Sequence, residues 1–381
     1  MGMEGTMNHN EQPRRRTILK TIGGAAVASG VFAGVSTASD HCDATVSDGE
    51  SIQDAVDDAA PGTTICVEAG SYEEDVTVNV DELTIEGPNA GVCGDDPTRG
   101  PEATIEGQVV LSADGTTLDG VDVSPPPAET NQEGEAVRIS NTPDDVTVKN
   151  NVVRDFEEDG IPQWVGIEGI VAFGGEEDDP IRNPTISCNE VKRIQGRNDQ
   201  GGAAGIMIQG NVDGAVVENN AVFDVGLEAT QWAHGVVITD TGNHNVVPEN
   251  VEIVSNDLNS ILPAPDSALD GVGVGVESEG QNYLISDNRI ESNTLGVEIK
   301  AAADDTVVDF NNIEENTRRG VLNVDGATLD ATDNWWGHAS GPGGPDGRRN
   351  TAGHEVGNGD KIEGDVEFDP WLRRSIDHPS R

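Results

Sequence analysis

The sequence predicts an all-β chain wound as a right-handed parallel β-helix, with a short helix capping its N-terminal end. Three observations carry this. First, an Asn followed two residues later by a large apolar residue recurs seven times, at Asn151/Val153, Asn189/Val191, Asn220/Val222, Asn256/Leu258, Asn288/Ile290, Asn311/Ile313 and Asn334/Trp336. The Asn spacings are 38, 31, 36, 32, 23 and 23; the last two approximate one coil, and the longer ones a coil with an insertion. Second, Ala136, Gly205, Gly273, Gly296 and Gly320 form a column 14 to 15 residues before an Asn, each followed by an apolar-x-apolar strand. Gly169 and Gly235 fit the column with about five extra residues. Third, aromatics make up only 3% of the chain while Gly reaches 47 residues, a composition suited to thin repetitive coils rather than a thick core.

Two registered columns mean stacked coils, paired along parallel strands about 4.8 Å apart. An Asn at the corner tolerates left-handed backbone angles, and its amide can bond the Asn above and below in a buried ladder. Before the repeats, Ser51 opens an amphipathic helix with Ile52, Ala55, Val56 and Ala59 on one face. Ser51 caps it, with Asp54 in the position of a capping box, and Pro61-Gly62 ends it. The phrase Thr-[Ile/Leu]-acid-Gly follows three times, at Thr84, Thr104 and Thr117.

The N-terminal segment reads as an export address. Arg15-Arg16-Thr17-Ile18-Leu19-Lys20 matches the twin-arginine pattern, the apolar stretch from Ile22 to Val35 follows, and Ser36-Thr37-Ala38 offers a cleavage site. The stretch is shorter than the roughly 20 residues a membrane span needs, and no later segment is long or apolar enough, so the mature chain is expected without a span. The expected organisation is a signal peptide over 1–38, an N-terminal cap and first coil over 39–75, coils over 76–334 and a C-terminal coil and cap over 335–381. Long loops are expected at 154–168, 192–204, 223–234 and 259–272.

Asp plus Glu total 70 against 22 Lys plus Arg, a formal charge of −48. Such a surface repels nucleic acid and anionic membranes. It is tolerable where salt screens it, since the Debye length falls to about 3 Å at 1 M salt. The composition therefore reads as salt adaptation of the kind seen in extreme halophiles; an acidic surface loaded with Ca²⁺ is the alternative. Cys42, Cys66, Cys93 and Cys188 are permitted disulfides in an exported chain, but spacing leaves the pairing open. Cys66, within Ile65-Cys66-Val67, also reads as a core residue, and the lack of any C-x-x-C argues against a zinc site.

At this point the chain resembles the pectate-lyase-like superfamily of right-handed parallel β-helix repeat proteins, in a secreted haloarchaeal form. Ser51-Ile52-Gln53-Asp54-Ala55-Val56 through Pro61-Gly62-Thr63-Thr64-Ile65 and Ala69-Gly70-Ser71-Tyr72-Glu73-Glu74 is similar to that family's N-terminal cap and first coil. Asp333-Asn334-Trp335-Trp336-Gly337 with Ser340-Gly341-Pro342, then Phe368-Asp369-Pro370-Trp371-Leu372, resembles the final coil of many secreted members. The resemblance spans residues 42–372. It implies the fold; the superfamily hosts lyases, hydrolases, esterases, epimerases, adhesins and binding proteins, so it does not select among them.

The insertions point to a working surface. From ladder Asn to the next column Gly, the coils starting at Asn288 and Asn311 use 8 and 9 residues, whereas those at Asn151, Asn189, Asn220 and Asn256 use 15 to 18. Four consecutive coils lengthen one corner, and stacked loops beside a flat sheet make a groove for an extended polymer. The outward residues along that sheet read Arg138, Val171, Met207, Val237, Gly275, Glu298 and Leu322, so the loops either border this face or fold over it. The insertions and their flanks concentrate Arg154, Lys192, Arg193 and Arg197, with Trp164, Trp232 and His234. β-Elimination on a uronate polymer needs a cation or Ca²⁺ on the sugar carboxylate and a base at C5. Lys192, Arg193, Arg197 and His234 are the candidates for that chemistry. Arg154, Trp164, Arg193, Arg197 and Trp232 are the candidates for holding the sugar, the Trp rings by stacking. The competing reading of each cation is a solvated salt pair.

The expected function is engagement of an acidic polysaccharide or cell-surface glycan, by binding or lyase-type cleavage. A non-enzymatic surface-structure or adhesion module is the second reading. A NosD-like metal-handling role is the third; it is poorly supported, because His41, His234, His244, His338, His354 and His378 show no ligand spacing, and no metal site or certain cofactor is expected. The polygalacturonase and pectin methylesterase patterns are absent.

Overall fold

The computed structural model describes residues 41–126, 134–157, 166–175, 179–196, 202–227, 229, 232–241, 246–263, 269–344 and 357–377. Three long sheets, every pair of neighbours parallel, wrap around one apolar core. Sheet A has 12 strands, from Ala44–Val46 to Val366–Glu367. Sheet B has nine, from Gly70–Tyr72 to Asn312–Glu314. Sheet C has 10, from Val76–Val78 to Ile362–Glu363. From Thr64–Val67 to Arg319–Asn323 the chain visits A, B and C in turn, so each of these coils adds one rung to each sheet. The expected parallel β-helix is what the strands form.

The seven Asn build one continuous ladder. From Asn151 through Asn189, Asn220, Asn256, Asn288 and Asn311 to Asn334, the backbone N–H and Nδ2 of each donate to Oδ1 of the next, at 2.9–3.1 Å. Each Nδ2 also donates to a sheet A carbonyl, such as Ile285 for Asn311 and Val308 for Asn334. All seven are buried. The left-handed angle, however, is not theirs. It belongs to the residue before each: Asn150, Cys188, Asn219, Ser255, Asp287, Phe310 and Asp333, with φ between +52° and +61°. The corner thus splits the work, one residue making the turn and the next making the ladder.

The glycine column is also in register. A Cβ on Gly205 would stand 2.7 Å from the Gly235 carbonyl oxygen, and one on Gly235 2.7 Å from that of Gly273. Glycine is required there because successive coils approach backbone to backbone. The repeated Thr-[Ile/Leu]-acid-Gly phrase, by contrast, is not one column. Thr84 and Thr117 pair in sheet A, whereas Thr104 pairs with Ser71 and Asp122 in sheet B.

The helix forms at Ile52–Asp57, and Ser51 Oγ accepts from the Asp54 N–H. Its free N–H groups at Ile52 and Gln53 go to Glu74, which also takes the Ser51 hydroxyl. The second capping carboxylate therefore comes from the first coil and not from Asp54. Cys42 bonds Cys66 and Cys93 bonds Cys188, so Cys66 is a disulfide partner rather than a core residue.

The late short corners between B and C carry a second ladder, not anticipated from the sequence. Asn293 donates to Asn316 Oδ1, and Asn316 donates through its N–H and Nδ2 to Asp360 Oδ2. Burial, opposed by those Asn316 bonds, raises the Asp360 carboxyl to about 6. Its folded pKa lies above the unfolded 3.8, so the net contribution of the buried carboxyl is fully present below that value and is lost as pH rises through 6. Asp360→Asn is accordingly expected to raise stability at pH 7 by about 1–3 kcal/mol, with little effect near pH 3.5, as read by denaturant melts at both pH values. Asn311→Leu should cost about 1–3 kcal/mol by stranding the amides of Asn288 and Asn334 and their backbone partners; an unchanged melting temperature would remove the ladder as a source of stability.

Candidate functional site

The long segments join sheet B to sheet C. The strands Val152–Glu157, Glu190–Gln195, Ala221–Val225 and Asp257–Ile261 lead in, and Ile167–Phe173, Ala203–Gln209, Ala233–Thr239 and Gly271–Val276 lead out. The strands run further than expected, which shortens the connections. Arg154, Lys192 and Arg193 therefore lie on sheet B and His234 on sheet C, not in loops. Trp164 and Arg197 fall outside the described residues. Where the short corners place Asn293 and Asn316, these four coils place Phe156, Ile194, Val225 and Ile261 in the core cluster. The substitution of apolar side chains for Asn marks the coils whose sheets extend.

The cations of sheet B are paired. Arg154 Nε and Nη2 donate to Asp122, at 2.7–3.2 Å, and Nη1 donates to Asp155. Arg193 donates to the same Asp155 through Nε and Nη2. Lys192 pairs with Glu190 and lies 5.9 Å from the centre of the Phe223 ring. The Arg193 guanidinium, with help from Arg154 and against partial burial, lowers the Asp155 carboxyl to about 2. The Asp122 bonds, opposed by burial, hold Arg154 more firmly protonated than a free arginine.

On sheet C the predicted outward column is in register from Arg138 through Val171, Met207, Val237, Gly275 and Glu298 to Leu322. Its centre is covered. Val171, Ala204, Met207 and Val237 form a small buried cluster of their own, with Phe173 and Trp232 against it. The Trp232 indole lies on Gly202 and Gly166, where a Cβ would stand 2.0 and 2.2 Å from its ring atoms. Trp232 is thus a half-buried lid on the strip, not a free platform. His234 is 4% exposed, which removes it from the reach of a sugar C5 proton.

Below the strip, Glu135 and Glu168 are register partners on sheet C. Glu135 pairs with Arg138, whose guanidinium lies 4.4 Å from the Phe173 ring centre. Burial, then the neighbouring Glu135, push the Glu168 carboxyl well above its ordinary value, with Arg138 opposing. Above the strip, His234, Glu277 and Glu298 converge around the Lys300 ammonium, which stands 2.5 Å from Glu277 and 3.2 Å from Glu298. No sequence spacing announced this convergence.

A cleft of about 710 Å³ opens along the B-to-C corner on the N-terminal side of the insertions. Glu73, Asp75, Glu106 and Gln108 line it from the short corners, Pro125 and Pro126 from the segment after Val123, and Arg154 and Phe156 from the first long coil. This volume lies within the usual range of ligand sites, about 300–1,000 Å³. Arg154 is the cation in its wall. Sequence reading missed the cleft because its lining comes from five separated segments.

A family model described as a right handed beta helix region matches residues 65–336. The chain belongs to the right-handed β-helix family. Among solved structures, this β-helix protein is similar to a pectate lyase at 13% identity, covering 87% of this chain and 79% of that one, with a TM-score of 0.46. It is similar to the A-module of an Azotobacter vinelandii mannuronan C-5 epimerase at 15% identity, covering 88% and 99%, with a TM-score of 0.45. An alginate lyase from a Paenibacillus species matches at 12% identity over 85% and 99%, with a TM-score of 0.36. These likenesses concern the fold alone. No curated protein matches the chain.

The pairing around Arg154 separates two arginines that the sequence treats alike. Asp122 is 1% exposed and depends on Arg154, with one further bond from Thr104. Arg154→Ala should therefore destabilise the fold by about 2–3 kcal/mol, leaving a buried carboxylate without its cation. Arg193→Ala, at a side chain 42% exposed, should change stability by less than about 0.5 kcal/mol. Paired urea melts check both.

Proposed function

We propose that this is an exported, salt-adapted β-helix protein that binds an extended acidic polysaccharide along the corner joining sheets B and C, with Arg193 and Arg154 as its anionic-sugar contacts. The cleft at the N-terminal end of four successive insertions carries the reading, since a polymer lying there meets one wall of stacked coils. Arg193 uses one fork on Asp155 and leaves Nη1 to a sugar carboxylate. The cleft lining is acid-rich, so a polyanion is held there only where salt screens the repulsion or a divalent ion such as Ca²⁺ bridges it. Export is supported by the twin-arginine pattern and by two disulfides that suit an oxidising compartment.

Binding is favoured over cleavage by the state of the cations. Arg154, Lys192 and Arg193 are each held by a carboxylate, and His234 is buried. None of these is free to take the C5 proton that β-elimination releases. The covered apolar strip favours a non-enzymatic surface module as the second reading. The test is retention of the protein on immobilised polygalacturonate, alginate and a neutral glucan at molar NaCl, with and without Ca²⁺. Retention on a uronate polymer, weakened severalfold by Arg193→Ala but not by Arg319→Ala at the far end of the stack, is expected. Equal retention on the neutral glucan, or none on any polymer, would overturn the proposal. Growth of the absorbance of an unsaturated uronate product would replace binding with lyase cleavage.

A further inference from the structure

The His234 cluster on sheet C has no role in that reading, and its geometry is unusual for a buried histidine. His234 is 4% exposed, yet neither ring nitrogen makes a hydrogen bond. Nε2 faces Glu277 at 3.4 Å, beyond a well-formed bond. An unsatisfied buried imidazole is costly, so its orientation calls for a partner. The ring fits only because Gly275 lies beside it; a Cβ there would stand 2.8 Å from Cδ2 and 3.0 Å from Nε2. The glycine on the next coil thus opens the space through which the imidazole reaches Glu277 and Glu298.

One ring nitrogen of His234 and one carboxylate oxygen from each glutamate lie within 4.8 Å of one another. The three residues come from three successive coils: His234 on Ala233–Thr239, Glu277 just after Gly271–Val276, and Glu298 on Leu295–Ile299. We propose that His234, Glu277 and Glu298 form a binding site for a divalent transition-metal ion, with Zn²⁺ as the representative, that pins these three coils together. Zinc takes nitrogen and oxygen ligands at about 2.0–2.2 Å, which sets ligand atoms about 3.4 Å apart in a tetrahedron. Reaching that spacing requires the two glutamates to rotate towards the imidazole, and three protein ligands leave a fourth position for water. One imidazole nitrogen with two carboxylates selects a borderline ion over the hard, all-oxygen preference of Ca²⁺.

The Lys300 ammonium is the present cation of the site. It touches both glutamates, and its side chain is 44% exposed on a flexible stem, so an arriving ion can displace it to solvent. Lys300 is then an internal competitor, and removing it should strengthen metal binding. A merely structural ion-pair cluster would show no such gain.

Isothermal titration of Zn²⁺ into the chelator-treated full chain tests the site. Saturable binding of one Zn²⁺ that Ca²⁺ at equal concentration does not displace is expected. His234→Gln should weaken it at least tenfold, and Lys300→Met should tighten it severalfold. Glu298→Gln, on a partly exposed side chain, gives a second loss variant should His234→Gln fail to fold. No saturable binding, equal affinity in the His234→Gln or Glu298→Gln protein, no gain in Lys300→Met, or displacement by Ca²⁺ would each overturn the proposal.

Discussion

From Asn151 to Asn334, the amide of one asparagine per coil holds the stack in register. Its Nδ2 and N–H both point to the next Asn, and its Nδ2 also reaches a carbonyl of sheet A. Each rung therefore satisfies groups that a sharp buried corner would otherwise strand, and a buried polar group without a partner is expensive. The corner cannot vary in length without breaking the chain of amides. Two residues separate the sheet A and sheet B strands in every coil from Lys149/Val152 to Asp309/Asn312. All variation in coil length is pushed to the other corners.

The B-to-C corner shows how that freedom is used. Closed short in the late coils, it carries a second amide ladder through Asn293, Asn316 and Asp360. Extended, it places Phe156, Ile194, Val225 and Ile261 in the core at the same strand ends. The insertions are thus written into the core as well as into the loops. Their consequence is a sheet C face divided in three: a carboxyl-rich end around Glu135 and Glu168, an apolar strip under Trp232, and the His234–Glu277–Glu298–Lys300 cluster.

Electrostatics on this surface are local despite the net charge of −48. The few cations are not spread to neutralise acids evenly. Arg154 and Arg193 share Asp155, and Lys300 sits between two glutamates. Arg154, Arg193 and Lys300 are each committed to a carboxylate on the same or a neighbouring coil. A ligand carboxylate that approaches Arg193 meets donors already oriented by Asp155, which lowers the entropy lost on binding but also competes for the same charge.

The sequence by itself determined the ladder and the glycine column, because each is a one-residue requirement repeated at the coil period. Asn recurs wherever an amide must bridge coils, and Gly wherever backbones touch, so periodicity exposes both. It also marked four of the extended corners, since insertions change the spacing, but not the one between Asp122–Val123 and Glu135–Ile139. What it could not decide was which side chains meet. Arg154 and Arg193 look alike in the sequence, yet one neutralises a buried Asp122 and the other reaches solvent. Trp232 looks like a free aromatic and is a lid on Gly166 and Gly202. Residues as far apart in sequence as His234 and Glu298 become neighbours only because the stack brings successive coils to about 4.8 Å. Such contacts depend on register, insertion length and the direction of each side chain together, and only the tertiary structure sets all three.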